Sequence, residues 1–416
     1  MHARVHRVLL PIILMMAAAV PAFAQDAPAQ DDKIKQLEQK LDELLRQAAE
    51  IRQEIQQLKG PAEAGPTSEA TDLTQVEVAQ PSLTDVQPVA NDSNPGAAKA
   101  LNPDISVIGT FIGHAGDHSP LEEPRDPIAL DEAEVAFEAF IDPYAKGKFF
   151  FALSPEGVEL EEGYANFVAL PKGFTAKVGK TKATFGKANT WHTHVRPWID
   201  QPLVVHEFFG DEGLNDVGVS VSKTIANPWN AFIEATGEAY AGNVEGVFER
   251  ATDNDLFYNA HLKLFKDISE NSNIELGTSW ARGNLSADSS GSNRFAGVDV
   301  TYRWKPLQRS IYNSFIARFE GIANHRADSD DTLRGFYASA DYQFAQRWFT
   351  GARYDSVDSL EGNTDRGLSA TLTFWPSEFS QIRGQYRRTR LGTGPSFDEL
   401  LIQLQFAIGA HGAHVF

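Results

Sequence analysis

Phe174-Thr-Ala-Lys-Val-Gly-Lys-Thr-Lys-Ala-Thr-Phe185 and Asp216-Val-Gly-Val-Ser-Val-Ser222 bracket a long link from Gly186 to Asn215. Phe174, Ala176 and Val178 fall on one face of the first run, with Thr175, Lys177 and Gly179 on the other, the period of two that marks a strand. The second run alternates again. The link itself has little periodicity but carries Trp191, Trp198, His192, His194 and His206. Links of that length are as a rule functional or disordered, and aromatic content argues against disorder.

The same period governs the chain from Pro103 onward. It yields about sixteen candidate strands, the first near 105–114 and the last near 398–409, each of about ten residues, which suits a tilted strand crossing a bilayer. The connections alternate in length. Asp142-Pro143-Tyr144, Pro171-Lys172, Asn227-Pro228, Pro306-Leu307, Ala345-Gln346 and Pro376-Ser377 are tight, whereas 115–129, 241–256 and 284–293 are longer and polar. Ser154-Pro-Glu-Gly157 is a short exception on the long side. Trp229, Trp304, Trp348 and Trp375 collect beside the tight turns, as an interfacial aromatic girdle does. One run places Ala296, Val298, Val300, Tyr302 and Trp304 on one face and Asp299, Thr301 and Arg303 on the other; a later one opposes Phe336, Ala338, Ala340, Tyr342 and Phe344 to Ser339, Asp341 and Gln343. The expected fold is all-β: a closed antiparallel transmembrane barrel over 103–416, polar inside and apolar outside. The link at 186–215 is expected to fold into its lumen and narrow it.

The N-terminal part reads differently. Arg4 and Arg7, the apolar run Val8 to Val20 and Ala22-Phe23-Ala24 have the layout of a cleaved secretory signal over 1–24. The chain has no Cys, so neither a lipid-anchored Cys nor a disulfide framework is available. Over 31–59, Ile34, Leu41, Ala48 and Ile55 repeat at one seam position and Leu37, Leu44, Ile51 and Leu58 at the other, which predicts a coiled coil and a homo-oligomer. Residues 60–102, rich in Pro, Ala, Ser, Thr and Asp, read as a flexible linker. The formal net charge of −19 makes nucleic acid and anionic surfaces poor partners. The expected location is the bacterial outer membrane, with the barrel in lipid and the coiled coil in the periplasm.

Lys177-Val-Gly-Lys180 followed by Phe185-Gly186, with Glu162-Gly-Tyr-Ala-Asn-Phe167 before and Gly213-Leu-Asn-Asp-Val-Gly-Val219 after, resembles the fifth strand, third loop and sixth strand of the phosphate-selective porin family, the O/P type. That resemblance implies a homotrimer of sixteen-stranded barrels whose loops constrict each pore. The link departs from the family's basic constriction by mixing Arg196 with Asp200, Glu207, Asp211 and Glu212. A terminal Phe416 after an alternating last strand resembles the recognition signal of bacterial outer-membrane proteins.

Placing the polar faces inward puts Glu132, Glu134 and Glu138 on the second strand and Glu234 and Glu238 on the seventh, with Arg303, Arg318, Arg353, Arg383 and Arg387 on later strands beside Asp299, Glu320, Asp341 and Asp355. Facing each other across water, these sets would make a transverse field; paired, they would merely solvate the wall. Lys177 is expected to face the lumen, and Lys187, His192, His194 and Arg196 to border the constriction. His192-Thr-His194, with His206 and Glu207 beyond, has imidazoles spaced as in some metal sites, but loop histidines are more often structural, and no metal or cofactor is expected. The expected function is passive diffusion of small hydrophilic solutes or ions, with anions such as phosphate among them, and without catalysis. The alternatives are an envelope tether joined to the cell wall through the coiled coil, or an outer-membrane hydrolase. No Ser or Thr stands in a recognisable nucleophile motif.

Overall fold

The computed structural model describes residues 103–409 apart from 122–125, 156, 253, 287–290, 330 and 360–361. The stretches expected to form a signal peptide, a coiled coil and a linker, 1–24, 31–59 and 60–102, and Phe416 lie outside the described residues. Alternation along the remainder produces strands β1 Asp104–Gly116, β2 Ile128–Asp142, β3 Ala145–Ser154, β4 Gly157–Leu170, β5 Phe174–Lys182, β6 Asn215–Thr224, β7 Phe232–Tyr240 and β8 Phe257–Ser269. The second half comprises β9 Ser272–Asn284, β10 Ser292–Trp304, β11 Ser314–His325, β12 Thr332–Ala345, β13 Trp348–Asp358, β14 Thr364–Ser377, β15 Ser380–Arg390 and β16 Ser396–Gly409. Each strand pairs antiparallel with its sequence neighbours, and β16 closes on β1 with Ser106 opposite Gly409. Closure satisfies every strand edge, which a sheet surrounded by hydrocarbon requires.

The faces are inverted relative to a water-soluble sandwich. In β16, Leu400, Ile402 and Leu404 are 48%, 53% and 46% exposed, whereas Gln403 and Gln405 of the opposite parity are 1% and 2%. The register sets Gln403 beside Arg383 and Gln405 beside Gln381, so polar rows line the inside. Trp348 stacks on Phe374 at 4.6 Å beside the turn rim, and Trp229 is exposed at the same rim. Among the described residues no helix is long and apolar enough to cross a membrane.

Two turns run longer than the sequence suggests. β7 begins at Phe232, because Asn227 closes the turn on itself: its Nδ2 donates to the Ile225 and Ala231 carbonyls and its Oδ1 accepts the Trp229 N–H. β11 begins at Ser314, because Pro306 opens a 3-10 turn whose Arg309 carbonyl accepts the N–H groups of Tyr312 and Asn313.

Two bulges shape the inner wall. Thr110 faces Glu132 while Phe111 faces Leu130, leaving Asp131 as an extra residue in β2. Phe150 faces Glu162 while Phe151 faces Leu160, leaving Glu161 extra in β4. A bulge re-aims a side chain that strict alternation would send to the other face. Glu161 and Glu162, consecutive in sequence, consequently reach the same histidine inside the barrel.

Candidate functional site

The link between β5 and β6 enters the barrel and is held at its neck by Asn189. Its Nδ2 donates to the Ala183 carbonyl at 2.8 Å and the Leu214 carbonyl at 3.2 Å, and its Oδ1 accepts the Leu214 N–H at 2.7 Å. One end of the link docks on β9 and β11. Gly186 N–H donates to Ser279 Oγ at 2.8 Å, and Lys187 and Ala188 N–H donate to Glu320 Oε2 at 3.2 and 3.0 Å. Gly186 has φ +57, and a Cβ there would lie 1.8 Å from Glu320 Oε1, so glycine is required on both counts. Lys187 Nζ meets Glu275 Oε1 at 2.5 Å, and Glu275 Oε2 also accepts from Arg303 at 3.2 Å.

A few residues later the chain touches the far wall. His192 Nδ1 is 3.0 Å from Glu134 Oε2 on β2 and 3.1 Å from Glu161 Oε2 on β4, while its Nε2 is 2.9 Å from Glu162 Oε2. His194 Nδ1 is 3.2 Å from Glu134 Oε2. In the ring of strands, β2 to β4 lie opposite β10 to β12. The link therefore crosses the lumen.

It then turns to β13 and β15. Arg383 donates to the Arg196 carbonyl at 2.9 Å, and Gln385 Oε1 accepts the Ile199 N–H at 2.8 Å. Asp200 is the clamp: its Oδ2 accepts from Arg353 at 2.7 Å and Arg387 at 3.1 Å, and its Oδ1 from Gln385 at 2.5 Å. Arg353 is held in turn by Asp355 at 2.7 Å, and Arg387 by Glu399 at 2.7 Å. Burial alone would raise the Asp200 carboxyl, but the two guanidiniums outweigh it and hold the group well below the usual carboxylate range.

This predicts the behaviour in acid. The folded value lies below the ordinary Asp value near ~3.9, so the clamp contributes its full stability above that pH and loses it as pH falls through the lower folded value. Limited pepsin digestion at graded pH should leave the link uncut near pH ~4 and begin to cut within 186–214 only at lower pH. Cutting that begins well above pH ~4 would contradict the assignment.

After Asp200 the link forms α1, Leu203–Phe209. Leu203, Val204, Val205, Phe208 and Phe209 are buried against β12 and β13 and the neighbouring wall, while His206 turns away to Asp211, 3.2 Å from its Nε2. The wall beneath is apolar where the polar-inside pattern predicts otherwise. Phe295, Ile322, Tyr337 and Val357 point inward and pack with Phe185, Trp198, Val204 and Phe209 in one core. The reason is burial: the link's greasy face needs a dry seat, at about 25 cal/mol per Å². The seat also needs room. A Cβ on Gly297 would come within 2.8 Å of Phe185, and one on Gly335 within 2.6 Å of Val204 Cγ2. Val244, Val247 and Phe248 of the next long loop extend the same core.

The lumen charges therefore mostly pair. Glu138 meets Lys146 at 3.3 Å and Lys148 at 3.2 Å, Glu234 meets Lys263 at 2.8 Å, and Arg318 meets Asp341. Lys177 has the inward parity, opposite buried Ser220, and lays its Nζ over the Tyr164 ring at 5.1 Å. Arg196 is the exception: among the described residues its guanidinium meets no hydrogen-bond or ion-pair partner. Burial lowers its basicity from the ordinary guanidinium value, against the more distant pull of Glu132 and Glu161. Arg383 has hydrogen bonds to Thr373 and Gln403 but no carboxylate at ion-pair distance among the described residues.

Sequence reasoning did not single out Glu161, Glu162, Glu275, Gln385 and Glu399, or Asp200 as a clamp. For Glu161 a signal exists, since two adjacent acids in mid-strand require either a charge in lipid or a bulge. Glu320 yields a further prediction. Glu320→Ala leaves the Lys187 and Ala188 N–H groups and the Tyr337 hydroxyl, 3.2 Å from Oε2, without their acceptor. Each orphaned buried donor costs about 1–3 kcal/mol. Amide exchange at Lys187 and Ala188 should accelerate with the strands unaffected; unchanged exchange would show that the contact does not hold the link.

The arrangement defines a class: an outer-membrane-type β-barrel with a long loop folded across its lumen. No family model matches the chain. An uncharacterized protein of Aquifex aeolicus is 29% identical over 391 residues, covering 78% of this chain and 82% of the relative. The loop L8 deletion mutant of OmpT, an outer membrane protein of Vibrio cholerae, is similar with a TM-score of 0.52 at 11% identity, over 74% of this chain and 100% of that one. In-vitro folded OmpT of Vibrio cholerae in its trimer form gives 0.51 at 11% identity, over 74% and 99%. Salmonella typhi OmpF in complex with Daunomycin gives 0.50 at 8% identity, over 74% and 98%. At these identities the likeness establishes the fold, that of bacterial outer-membrane barrels.

Proposed function

We propose that the protein is a constricted outer-membrane channel for passive diffusion of small hydrophilic solutes or ions, without a catalytic step. The observation that carries this reading is the link itself, fixed to opposite walls of a polar-lined barrel, so that anything crossing must pass beside it. Among the described residues Arg196, Arg383 and inward-facing Lys177 have no carboxylate at ion-pair distance, and they favour anions, with phosphate as one candidate. The trimer form of a structurally similar barrel and the heptad seam at 31–59 support a homotrimer with a periplasmic coiled coil.

Planar-bilayer recordings of the purified, folded protein should show stepwise conductance, and its absence would overturn the reading. In a salt gradient, Arg196→Ala should move the reversal potential toward cation preference. A cation preference in the wild type, unmoved by that change, would end the anion assignment while leaving the channel intact.

A further inference from the structure

We infer that His192, Glu134 and Glu161 form a binding site for one divalent transition metal ion inside the barrel, with His194 beside Glu134. His192 Nδ1 and a carboxylate oxygen from each of Glu134 and Glu161 lie within 4.8 Å of one another, and His194 Nδ1 stands 3.2 Å from Glu134 Oε2. Ligands about 2.0–2.1 Å from a tetrahedral zinc ion sit roughly 3.3 Å apart. The separations of 3.0 and 3.1 Å from His192 Nδ1 to Glu134 and Glu161 are close to that spacing before any ion draws them into place.

His192 Nε2 is 2.9 Å from Glu162 Oε2, the kind of carboxylate–imidazole contact that orients metal-bound histidines. Its Nδ1 sits between carboxylate oxygens of Glu134 and Glu161. Glu134 is 2% exposed, and its Oε2 lies 3.0 and 3.2 Å from the Nδ1 atoms of His192 and His194.

The fold assembles this set deliberately. The bulge in β4 adds Glu161 to Glu162 on the inner face, and the Phe150 ring covers one side of His192 at 4.8 Å. An imidazole and two carboxylates, with a second imidazole beside them and no sulfur, suit Zn²⁺ and its first-row neighbours rather than Cu⁺, Ca²⁺ or Mg²⁺. His206 is not a ligand, being engaged with Asp211 beyond α1. Bound metal would staple the link to β2 and β4, opposite its docking on β9 and β11.

The test is zinc binding by the full-length folded barrel, stripped with chelator and titrated with Zn²⁺, with the bound metal counted by mass spectrometry. Co²⁺ is the optical probe for a four-coordinate nitrogen and oxygen site. His411 and His414 are replaced by Ala throughout to remove the terminal histidines, and heat-modifiable gel mobility verifies each barrel. A single equivalent should bind, with visible Co²⁺ d–d absorption. Affinity should fall by about tenfold or more in His192→Ala and Glu134→Gln but hold in His206→Ala. Absence of stoichiometric binding to the folded parent protein would overturn the proposal, as would binding that survives both ligand substitutions.

Discussion

Asp200→Ala is expected to release the link from the wall while leaving the barrel closed. Asp200 gathers two guanidiniums and an amide from β13 and β15 onto one loop carboxylate, and all of these groups are buried. Removing one partner of a buried ion pair costs about 3–5 kcal/mol. Asp355 and Glu399 remain to hold Arg353 and Arg387, so the lower end of that range applies. The loss falls on the link, because none of the barrel's strand-to-strand hydrogen bonds involves the Asp200 side chain. Protease should cut within 186–214, heat-modifiable mobility should persist, and single-channel conductance should rise. Asp200→Asn, which keeps acceptor oxygen without charge, should fall between. A variant that resists cleavage and conducts like the wild type would show that the clamp does not hold the link.

Gly335→Leu should have a comparable effect through sterics. The first added carbon already falls 2.6 Å from Val204 Cγ2, 2.9 Å from Val357 Cγ2 and 3.0 Å from Val204 Cβ, and leucine adds three more. Overpacking a core costs about 1–3 kcal/mol, taken up by the weaker partner. Here β12 is locked by two neighbouring strands and α1 by side-chain packing, so α1 is displaced. Val204→Ala added to Gly335→Leu should restore protection of the link in part. Equal protease sensitivity with and without Val204→Ala would locate the clash elsewhere.

The barrel was legible because lipid and water impose opposite demands on alternate residues. Runs such as Ala296 to Trp304 carry that demand without help from the rest of the fold. The entry of the link into the lumen followed from its length and aromatic content. What alternation could not convey was which inner positions are dry. Phe295, Ile322 and Tyr337 occupy inward parity like Asp299 and Ser339, and only the arrival of Phe185, Phe209 and Val204 explains them. Ion pairs were hidden for a similar reason. Arg353 and Asp200 are distant in sequence and meet only because the link crosses the barrel. Consecutive Glu161 and Glu162 obey no period at all until the bulge is seen.

The link lies inside the barrel, with α1 packed against β12. The chain has no native cysteine, so a single introduced pair reports without background. In Val204→Cys with Gly335→Cys the Cβ atoms start 3.0 Å apart, and a shift of under an ångström reaches the ~3.8 Å typical of a disulfide. Mild oxidation of outer membranes should close this bond in nearly all folded chains, giving a reducible gel shift. Two free thiols, both labelled by a bulky maleimide in a heat-modifiable barrel, would put the link outside the lumen and contradict the account.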